Sequence, residues 1–237
     1  MKKHIPNLLT MLNLFSGCVA IFHANTGNFK FVFIWLCIAA IFDFFDGFAA
    51  RLLHVSSPIG KELDSLADVV SFGVAPAMAL FFLIKTLLPV QEIALYGREL
   101  LLPFVAFLLP MFSALRLAKF NLDERQTTHF IGLPTPANAF FWSSFCYAYQ
   151  AIPTSPIFSI YIIVPLIILF SCLLISGIPM FSLKVKKLNP KMVMLQVLLL
   201  ILVVLLVSFF GVIGVSVAIV AYVIVSLLAR RMILAEI

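Results

Sequence analysis

The residues best suited to chemistry are four aspartates, Asp43, Asp46, Asp64 and Asp68, which fall within 26 residues of an otherwise apolar chain. The whole sequence holds only five aspartates, so they are strongly clustered. An ionised carboxylate at membrane depth is costly unless it is compensated, and such residues are functional candidates for that reason. Four carboxylates close together also repel one another. They must therefore bind cations, carry protons or pair with buried bases.

Helical spacing divides the four carboxylates into two pairs. Positions i, i+3, i+4 and i+7 share one face of a helix. These positions are held by Asp43, Asp46, Gly47 and Ala50. Asp64 and Asp68, spaced i and i+4, share a face of the next predicted helix, and residues 56–58 (Ser-Ser-Pro) supply the turn between the two. We therefore expect two antiparallel helices to direct two carboxylates each into one gap.

The chemical type of these side chains indicates which cation they would hold. Ligation by carboxylate oxygens suits hard divalent ions such as Mg²⁺ or Mn²⁺ rather than zinc or copper. Four carboxylates can hold two such ions, and Arg51, one turn beyond the acidic face, can fork onto phosphate oxygens. Paired ions beside an arginine are typical of phosphoryl transfer. The residues alone leave two alternatives, a structural hydrogen-bonding role and a path for protons or cations.

The composition is that of a membrane protein. Of the 237 residues, 63% are hydrophobic and 11% are charged, whereas roughly 25% are charged in a typical soluble domain. We predict an all-α fold, a polytopic transmembrane helical bundle that forms a single integral-membrane domain over residues 1–237. Asn7, Thr10 and Asn13 interrupt the first apolar run, so we interpret it as a retained span rather than a cleaved signal peptide.

Eight apolar stretches have about 18 to 27 residues each, near the ~20 needed to cross the hydrocarbon core. They cover 5–24, 29–53, 62–87, 100–121, 135–152, 157–180, 191–210 and 212–230. The fifth is the weakest because polar residues interrupt it. The last two form one run that is divided only around Gly211 and Gly214, so seven spans is the alternative.

The distribution of basic residues predicts the orientation. With eight spans and the N-terminus inside, 13 of the 16 lysines and arginines fall on the inner side. These are Lys2, Lys3, Arg51, Lys61, Arg116, Lys119, Arg125, Lys184, Lys186, Lys187, Lys191, Arg230 and Arg231; the outer segments hold Lys30, Lys85 and Arg98. This positive-inside bias predicts cytoplasmic termini in a cell membrane and places the aspartates on the cytoplasmic side. The net charge of +6 then reflects topology and contact with anionic membrane lipids, not binding of nucleic acid.

The run from Asp43 to Asp68 matches the pattern D-x2-D-G-x2-A-R-x8-G-x3-D-x3-D at all eight fixed positions. On this signature the chain resembles the CDP-alcohol phosphatidyltransferase family. Residues 5–10 resemble the family's N-terminal segment, and residues 62–77, 116–121 and 132–136 are similar to its phosphatidylserine synthase branch. The resemblance covers most of residues 5–140, which predicts a catalytic core over 1–140 and additional transmembrane helices over 141–237.

The resemblance implies a role for each of these residues. Asp43, Asp46 and Asp64 would hold a first divalent ion, and Asp43, Asp64 and Asp68 a second, with Asp68 also serving as general base. The residues implied to contact the CDP-lipid are Asn7, Thr10, Gly47, Arg51, Ser57 and Gly60. A homodimer is implied as well. The residues alone favour the metal ions and Arg51 but do not single out Asp68 as the base.

The resemblance also implies a reaction, in which the hydroxyl of L-serine attacks CDP-diacylglycerol and expels CMP. Arg116 and Lys119, predicted at the cytoplasmic end of the fourth span, are candidates for binding the serine carboxylate. Basic residues at that position also serve as headgroup anchors. Three alternatives stay open: glycerol 3-phosphate or inositol phosphate as acceptor, an ether-lipid donor and, from a different class, cation or proton transport.

Overall fold

The computed structural model describes residues 4–55, 57–88, 99–122, 130–150, 156–180 and 190–228. The helices are α1 (His4–Asn25), α2 (Phe29–Leu52), α3 (Pro58–Asp68), α4 (Ala75–Leu87), α5 (Leu108–Leu122), α6 (Thr135–Tyr149), α7 (Pro156–Ile175), α8 (Pro190–Phe210) and α9 (Ile213–Leu228). A π-helical segment, Val69–Val74, joins α3 to α4, and a 3₁₀ segment, Glu99–Phe107, precedes α5. Two short strands are β1 (Phe130–Ile131) and β2 (Pro179–Met180).

Each of the eight predicted spans coincides with helical structure, and the predicted all-α membrane bundle is confirmed. By length and composition, four helices can cross a membrane: His4–Asn25, Phe29–Leu52, Pro58–Leu87 and Leu101–Leu122. Shorter apolar helices follow them within the described residues. The predicted fifth span, 135–152, corresponds to α6, whose 15 residues rise only about 22 Å. That is less than the ~30 Å of the hydrocarbon core.

The chain reverses direction between α8 and α9. Gly211 has a φ of +62°, a left-handed conformation that glycine adopts without steric cost. The backbone of Gly214 lies against the carbonyl of Leu206, eight residues earlier. In a continuous helix these residues would be separated by about 12 Å along the axis. The structure therefore contains two packed helices in this region, in agreement with eight spans rather than seven.

The helix formed by α3, the π-helical segment and α4 lies at the centre of the bundle. In the most apolar part of this helix 61% of residues are buried, against 22% in α2. Phe72, Leu80 and Ile84 are completely buried. Large apolar residues of α2, among them Ile41 and Phe44, are instead exposed, as expected for a surface in contact with lipid. The central helix thus contributes both the core and the second pair of aspartates.

Small residues let neighbouring helices approach the π-helical segment closely. A Cβ atom added to Gly17 of α1 would lie 2.7 Å from Cα of Ser71, which is too close for any real side chain. A Cβ atom added to Gly73 would lie 3.3 Å from Cα of Pro110 and Cβ of Ser113 in α5. Such contacts are typical of membrane helices, which associate through small residues. They hold α1 and α5 against the residues that follow Asp68.

A short connection held by backbone hydrogen bonds positions the start of α6. Strands β1 and β2 pair antiparallel, with Phe130 opposite Met180. Gly132, at φ +77°, donates its backbone N–H to the carbonyl of Ile178 at 2.9 Å, and that of Leu133 donates to the carbonyl of Leu173 at 3.0 Å. The N-terminus of α6 is therefore tied to the end of α7.

Many of the basic residues that predict the orientation lie outside the described residues. They are Lys2, Lys3, Arg98, Arg125, Lys184, Lys186, Lys187, Arg230 and Arg231. The placement of both termini in the cytoplasm therefore stays a prediction.

Candidate active site

Three of the four predicted carboxylates converge between α2 and α3. Asp43, Asp64 and Asp68 each offer a carboxylate oxygen, and these three oxygens lie within 4.8 Å of one another. Asp43 comes from α2, whereas Asp64 and Asp68 lie one turn apart on α3. Like charges at this separation repel strongly in a medium of low dielectric constant. A cation between the oxygens removes that repulsion, so the arrangement matches the predicted gap between two helices.

The donor set of this group fits a hard divalent ion. All three residues supply carboxylate oxygens, the ligands that Mg²⁺ and Mn²⁺ prefer. Oδ1 of Asp64 is buried and has no hydrogen-bond partner among the described residues. A buried acceptor without a partner costs about 1–3 kcal/mol. A bound cation would satisfy this oxygen.

Asp46 lies beside the three converging carboxylates and is not part of the group. It is 7% exposed, and its Oδ2 accepts a hydrogen bond of 2.7 Å from the hydroxyl of Thr10. Its charge nevertheless interacts with those of Asp43 and Asp64. Thr10, implied by the resemblance to contact the nucleotide, therefore orients a carboxylate. The role of Asp46 as a metal ligand stays a prediction.

A cleft of about 210 Å³ opens next to the aspartates, between α1, α2 and the start of α3. It is lined by Pro6, Asn7, Thr10, Asp46, Gly47, Ala50, Val55, Ser57, Gly60, Lys61 and Asp64. Five of the six residues implied to contact the CDP-lipid are in this set. The exception is Arg51, which is exposed and does not line the cleft. A Cβ atom added to Gly47 would meet nothing within 4 Å, so glycine here leaves space open for a ligand.

The start of α3 forms one wall of this cleft. Ser57 is the N-cap residue, and its Oγ accepts a hydrogen bond of 3.0 Å from the backbone N–H of Gly60. Pro58 occupies the first turn, where its missing N–H costs nothing. A Cβ atom added to Gly60 would lie 3.0 Å from Oγ of Ser57 and 3.2 Å from Oδ1 of Asn7. Gly60 thus allows these two polar side chains to come close together.

Asn13 is a site residue that the sequence analysis did not assign. Its Nδ2 donates a hydrogen bond of 3.1 Å to Oδ1 of Asp68, and its carbonyl accepts one of 2.9 Å from the hydroxyl of Ser71. Asn13 and Ser71 are both completely buried. The spacing of Thr10, Asn13 and Gly17, i, i+3 and i+7, forms a stripe of polar and small residues along α1. That stripe is the signal that could have identified Asn13.

The two candidates for binding the acceptor have different environments. Arg116 is buried, its Nη1 donates a hydrogen bond of 3.2 Å to the hydroxyl of Thr135, and its charge interacts with that of Asp68. Its Nε is buried without a partner among the described residues. Lys119, one turn further along α5, is exposed. The structure therefore brings Arg116, but not Lys119, into the protein interior near the aspartates.

The end of α5 is attached to α3 by a polar bridge. Nζ of Lys61 donates a hydrogen bond of 2.8 Å to the carbonyl of Asn121, and Nδ2 of Asn121 donates one of 2.8 Å to Oγ of Ser65. Because Lys61 lines the cleft, this bridge connects the helix of Arg116 to the cleft wall.

The sequence profile of the CDP-alcohol phosphatidyltransferases matches residues 3–228 of this chain. The chain therefore belongs to the CDP-alcohol phosphatidyltransferase family, a family of enzymes that depend on divalent metal ions.

Several relatives of this chain carry the name CDP-diacylglycerol–serine O-phosphatidyltransferase. That of Bacillus subtilis (strain 168) is 36% identical over 56% of this chain and 70% of its own length. That of Helicobacter pylori (strain J99) is 39% identical over 56% of this chain and 53% of its own. That of Methanocaldococcus jannaschii is 37% identical over 60% of both chains. The chain thus spans between about half and 70% of the length of these relatives.

Proposed function

We propose that this protein transfers the phosphatidyl group of CDP-diacylglycerol to L-serine, giving phosphatidylserine and CMP. The observation that carries the proposal is the convergence of Asp43, Asp64 and Asp68 beside a cleft lined by the other signature residues. The names of the relatives supply the acceptor. The buried guanidinium of Arg116, which lies near Asp68, supplies a partner for the carboxylate of serine.

The acidic residues fit a pair of divalent ions, Mg²⁺ or Mn²⁺. Asp43, Asp46 and Asp64 would hold one ion, and Asp43, Asp64 and Asp68 the other. When bound, such ions neutralise the charge that develops on the phosphates during transfer. The shared ligands Asp43 and Asp64 come from different helices, so the packing of α1 against both α2 and α3 determines the spacing of both sites.

Asp68 is the general base in this proposal. It takes the proton of the serine hydroxyl while the serine oxygen forms a bond to phosphorus and the bond from phosphorus to the CMP oxygen breaks. A hydroxyl is a weak nucleophile at neutral pH and needs such a base. Asn13 donates a hydrogen bond to Oδ1 of Asp68 and so fixes the orientation of this carboxylate. Asn13 is therefore a positioning residue.

The cleft binds the nucleotide end of the donor. Asn7, Ser57 and Gly60 present polar groups at the start of α3, where the helix N-terminus favours negative charge. Gly47 leaves room for the ligand, and Thr10 keeps Asp46 in place. Arg51, exposed near the cleft, meets phosphate oxygens that project from it. The acyl chains stay in the bilayer, so no lipid has to be extracted.

The setting of the reaction in this proposal rests on the orientation that the basic residues predict. The cleft faces the cytoplasm, where CDP and serine are soluble, and both termini lie on that side of the cell membrane. Residues 1–140 form the catalytic core, residues 141–237 add further transmembrane helices, and two copies form a homodimer. Arg116 binds the serine carboxylate, and Lys119 contributes positive charge at the entrance.

One assay separates this function from its rivals. Purified protein receives CDP-diacylglycerol and Mg²⁺ or Mn²⁺, and CMP release is followed with serine, glycerol 3-phosphate or inositol phosphate offered separately. Of the three acceptors, we expect only serine to give CMP release. Release only with a phosphate-bearing acceptor would reassign the acceptor, and an ether-lipid donor is tested in a parallel reaction. Ion flux across sealed vesicles without any CMP release would instead indicate a transporter.

A further inference from the structure

One face of α6 carries buried polar residues and is joined to α5 by a side-chain hydrogen bond. Thr135 and Asn138 are spaced i and i+3 and lie on the same face of the helix; they are 1% and 0% exposed. The hydrogen bond from Arg116 to Thr135 places this face against α5. Ser113, one turn before Arg116, is completely buried as well. These four residues, Ser113, Arg116, Thr135 and Asn138, form what we call the α5–α6 polar cluster.

The cluster is unusual because several of its polar atoms have no partner. Among the described residues, Oγ of Ser113, Nε of Arg116 and both amide atoms of Asn138 are buried and make no hydrogen bond. On the same helix Nε1 of Trp142 also lacks a partner among the described residues, whereas the hydroxyls of Ser143 and Ser144 have partners. Ser144 lies within hydrogen-bond distance of the Phe140 carbonyl at 2.6 Å and of the Ser216 hydroxyl at 2.6 Å. Native proteins satisfy nearly all buried polar groups, so a concentration of exceptions indicates a ligand.

We propose that the α5–α6 polar cluster binds the amino-acid end of the acceptor and that Asn138 recognises its ammonium group. The inference rests on the proposed function and extends it to a specificity residue. Nε of Arg116 is a donor suited to a carboxylate. Oγ of Ser113 and the amide oxygen of Asn138 are acceptors suited to an ammonium. Because both amide atoms of Asn138 are unpaired, the amide can turn to present its oxygen without breaking another bond.

The charge of the cluster matches a zwitterion better than a phosphate ester. Among the lysines and arginines whose side chains the structure describes, Arg116 alone is buried, and it offsets a single carboxylate. A phosphate monoester would bring nearly two negative charges close to Asp68, with which Arg116 already interacts. Ser113 and Asn138 are neutral and add no charge to offset the second one. The same proximity to Asp68 brings the acceptor's hydroxyl end towards the base.

The main test replaces Asn138 by leucine, which has similar size and no polar atoms. We expect Asn138→Leu to raise the KM for serine about tenfold or more, as for loss of a hydrogen bond to a charged group. The KM for CDP-diacylglycerol should stay within about twofold. Without serine, the variant should melt at the same temperature as wild type or higher, because an unpaired buried amide has been removed. A structural asparagine would give the opposite result, a lower melting temperature with equal effects on both KM values.

The matched control is Ser144→Ala on the same helix. Ser144 is buried and already bonded within the protein, so its loss should lower stability and leave the KM for serine unchanged. If Ser144→Ala and Asn138→Leu change the KM for serine equally, the effect belongs to the packing of α6 and the proposal is wrong.

A second measurement needs no variant and remains decisive if Asn138→Leu does not fold. Wild-type protein is offered serine, 3-hydroxypropionate, which lacks the ammonium, and serine amide, which lacks the carboxylate. We expect both analogues to react at least about tenfold less efficiently than serine. Equal use of serine and 3-hydroxypropionate overturns ammonium recognition. Failure of the proposed function is distinct, since wild-type protein would then release no CMP with serine.

Discussion

The acidic site between α2 and α3 and the α5–α6 polar cluster are both buried polar regions in an apolar bundle, but they are built differently. The acidic site takes Asp43, Asp64 and Asp68 from one continuous stretch of 26 residues. The cluster joins residues of α5 and α6 that come together only through tertiary packing. The first has an excess of negative charge and requires cations. The second has neutral groups and one guanidinium, and it requires a small polar ligand.

This contrast suggests a division of labour. The chemistry common to the family depends on a short local motif, whereas the choice of acceptor depends on helix packing elsewhere. Substitutions in the acidic site should therefore abolish turnover with any acceptor. Substitutions in the cluster should change which acceptor is used.

Metal removal should have the largest effect and should act on the acidic site alone. Chelation with EDTA is expected to abolish CMP release and to lower the melting temperature, because an ion that binds only the folded state stabilises it by mass action. Asp64→Asn should lose most of this metal-dependent stabilisation. Ser113→Ala, in the cluster, should retain it. A wild-type melting temperature that is independent of Mg²⁺ and Mn²⁺ would contradict the metal site.

Asp68→Asn should lower kcat by about 10²–10⁴, the usual contribution of a general base. The amide keeps the shape of the side chain, so stabilisation by CDP-diacylglycerol should largely remain when it is measured by thermal melting. Full activity in this variant would remove Asp68 from the mechanism. Loss of lipid binding along with activity would reassign it to donor binding.

Arg116→Ala should raise the KM for serine about tenfold or more, since it removes a charge-assisted contact. The KM for CDP-diacylglycerol should change much less. Lys119→Ala is the matched control, because it removes an exposed cation one turn away, and it should stay close to wild type. Equal changes in both KM values for Arg116→Ala would make Arg116 a structural anchor.

Asn13→Ala tests the connection between α1 and the base. It removes the donor to Oδ1 of Asp68 and should lower kcat about tenfold, with both KM values nearly unchanged. Ser16→Ala is a suitable comparison, since Ser16 is buried on the same helix and donates to the carbonyl of Leu12 within that helix. If the two variants have the same kcat, Asn13 does not position Asp68.

Ser57→Ala should have the smallest effect, a loss of about 1 kcal/mol of stability through removal of the N-cap of α3. Ser57→Thr should restore most of it, because threonine also caps helices. Thermal melting measures both variants. A rise in the KM for CDP-diacylglycerol in Ser57→Ala that Ser57→Thr does not correct would instead point to direct contact with the nucleotide.

The parts that could be predicted from the sequence are those determined over short distances along the chain. The i, i+3 and i, i+4 spacings brought the aspartates to facing helix surfaces, and apolar runs located all eight helical spans. The division between α8 and α9 depends on a backbone reversal at Gly211, which composition could only suggest. The sequence did not predict that α6 ends at Tyr149. The apolar residues Ala151 and Ile152, which follow Gln150, extended the predicted span to residue 152.

The missed site residues depend on tertiary packing. Asn13 contacts a residue 55 positions later, and nothing in a single sequence reports such a pairing. Arg116 and Lys119 were equal candidates by sequence, since both are basic and only one turn apart. Burial separated them, because the guanidinium of Arg116 reaches Thr135 on another helix. Asn138 resembles any polar residue of a weak span until its lack of partners is seen.

The π-helical segment after Asp68 has a consequence for how this protein can vary. A π-turn accommodates one residue more than an α-turn, and each residue of an α-helix turns the chain by about 100°. The π-helical segment Val69–Val74 therefore sets the rotation about the helix axis between two parts of the central helix. One part carries Asp64 and Asp68, and the other holds Leu80 and Ile84 in the interior. Deletion of a single residue from this segment would rotate the part of the helix that carries the aspartates relative to the part that carries Leu80 and Ile84. A change of length in this stretch is therefore expected to disturb the fold, in addition to any substitution at the closely packed Ser71 or Gly73.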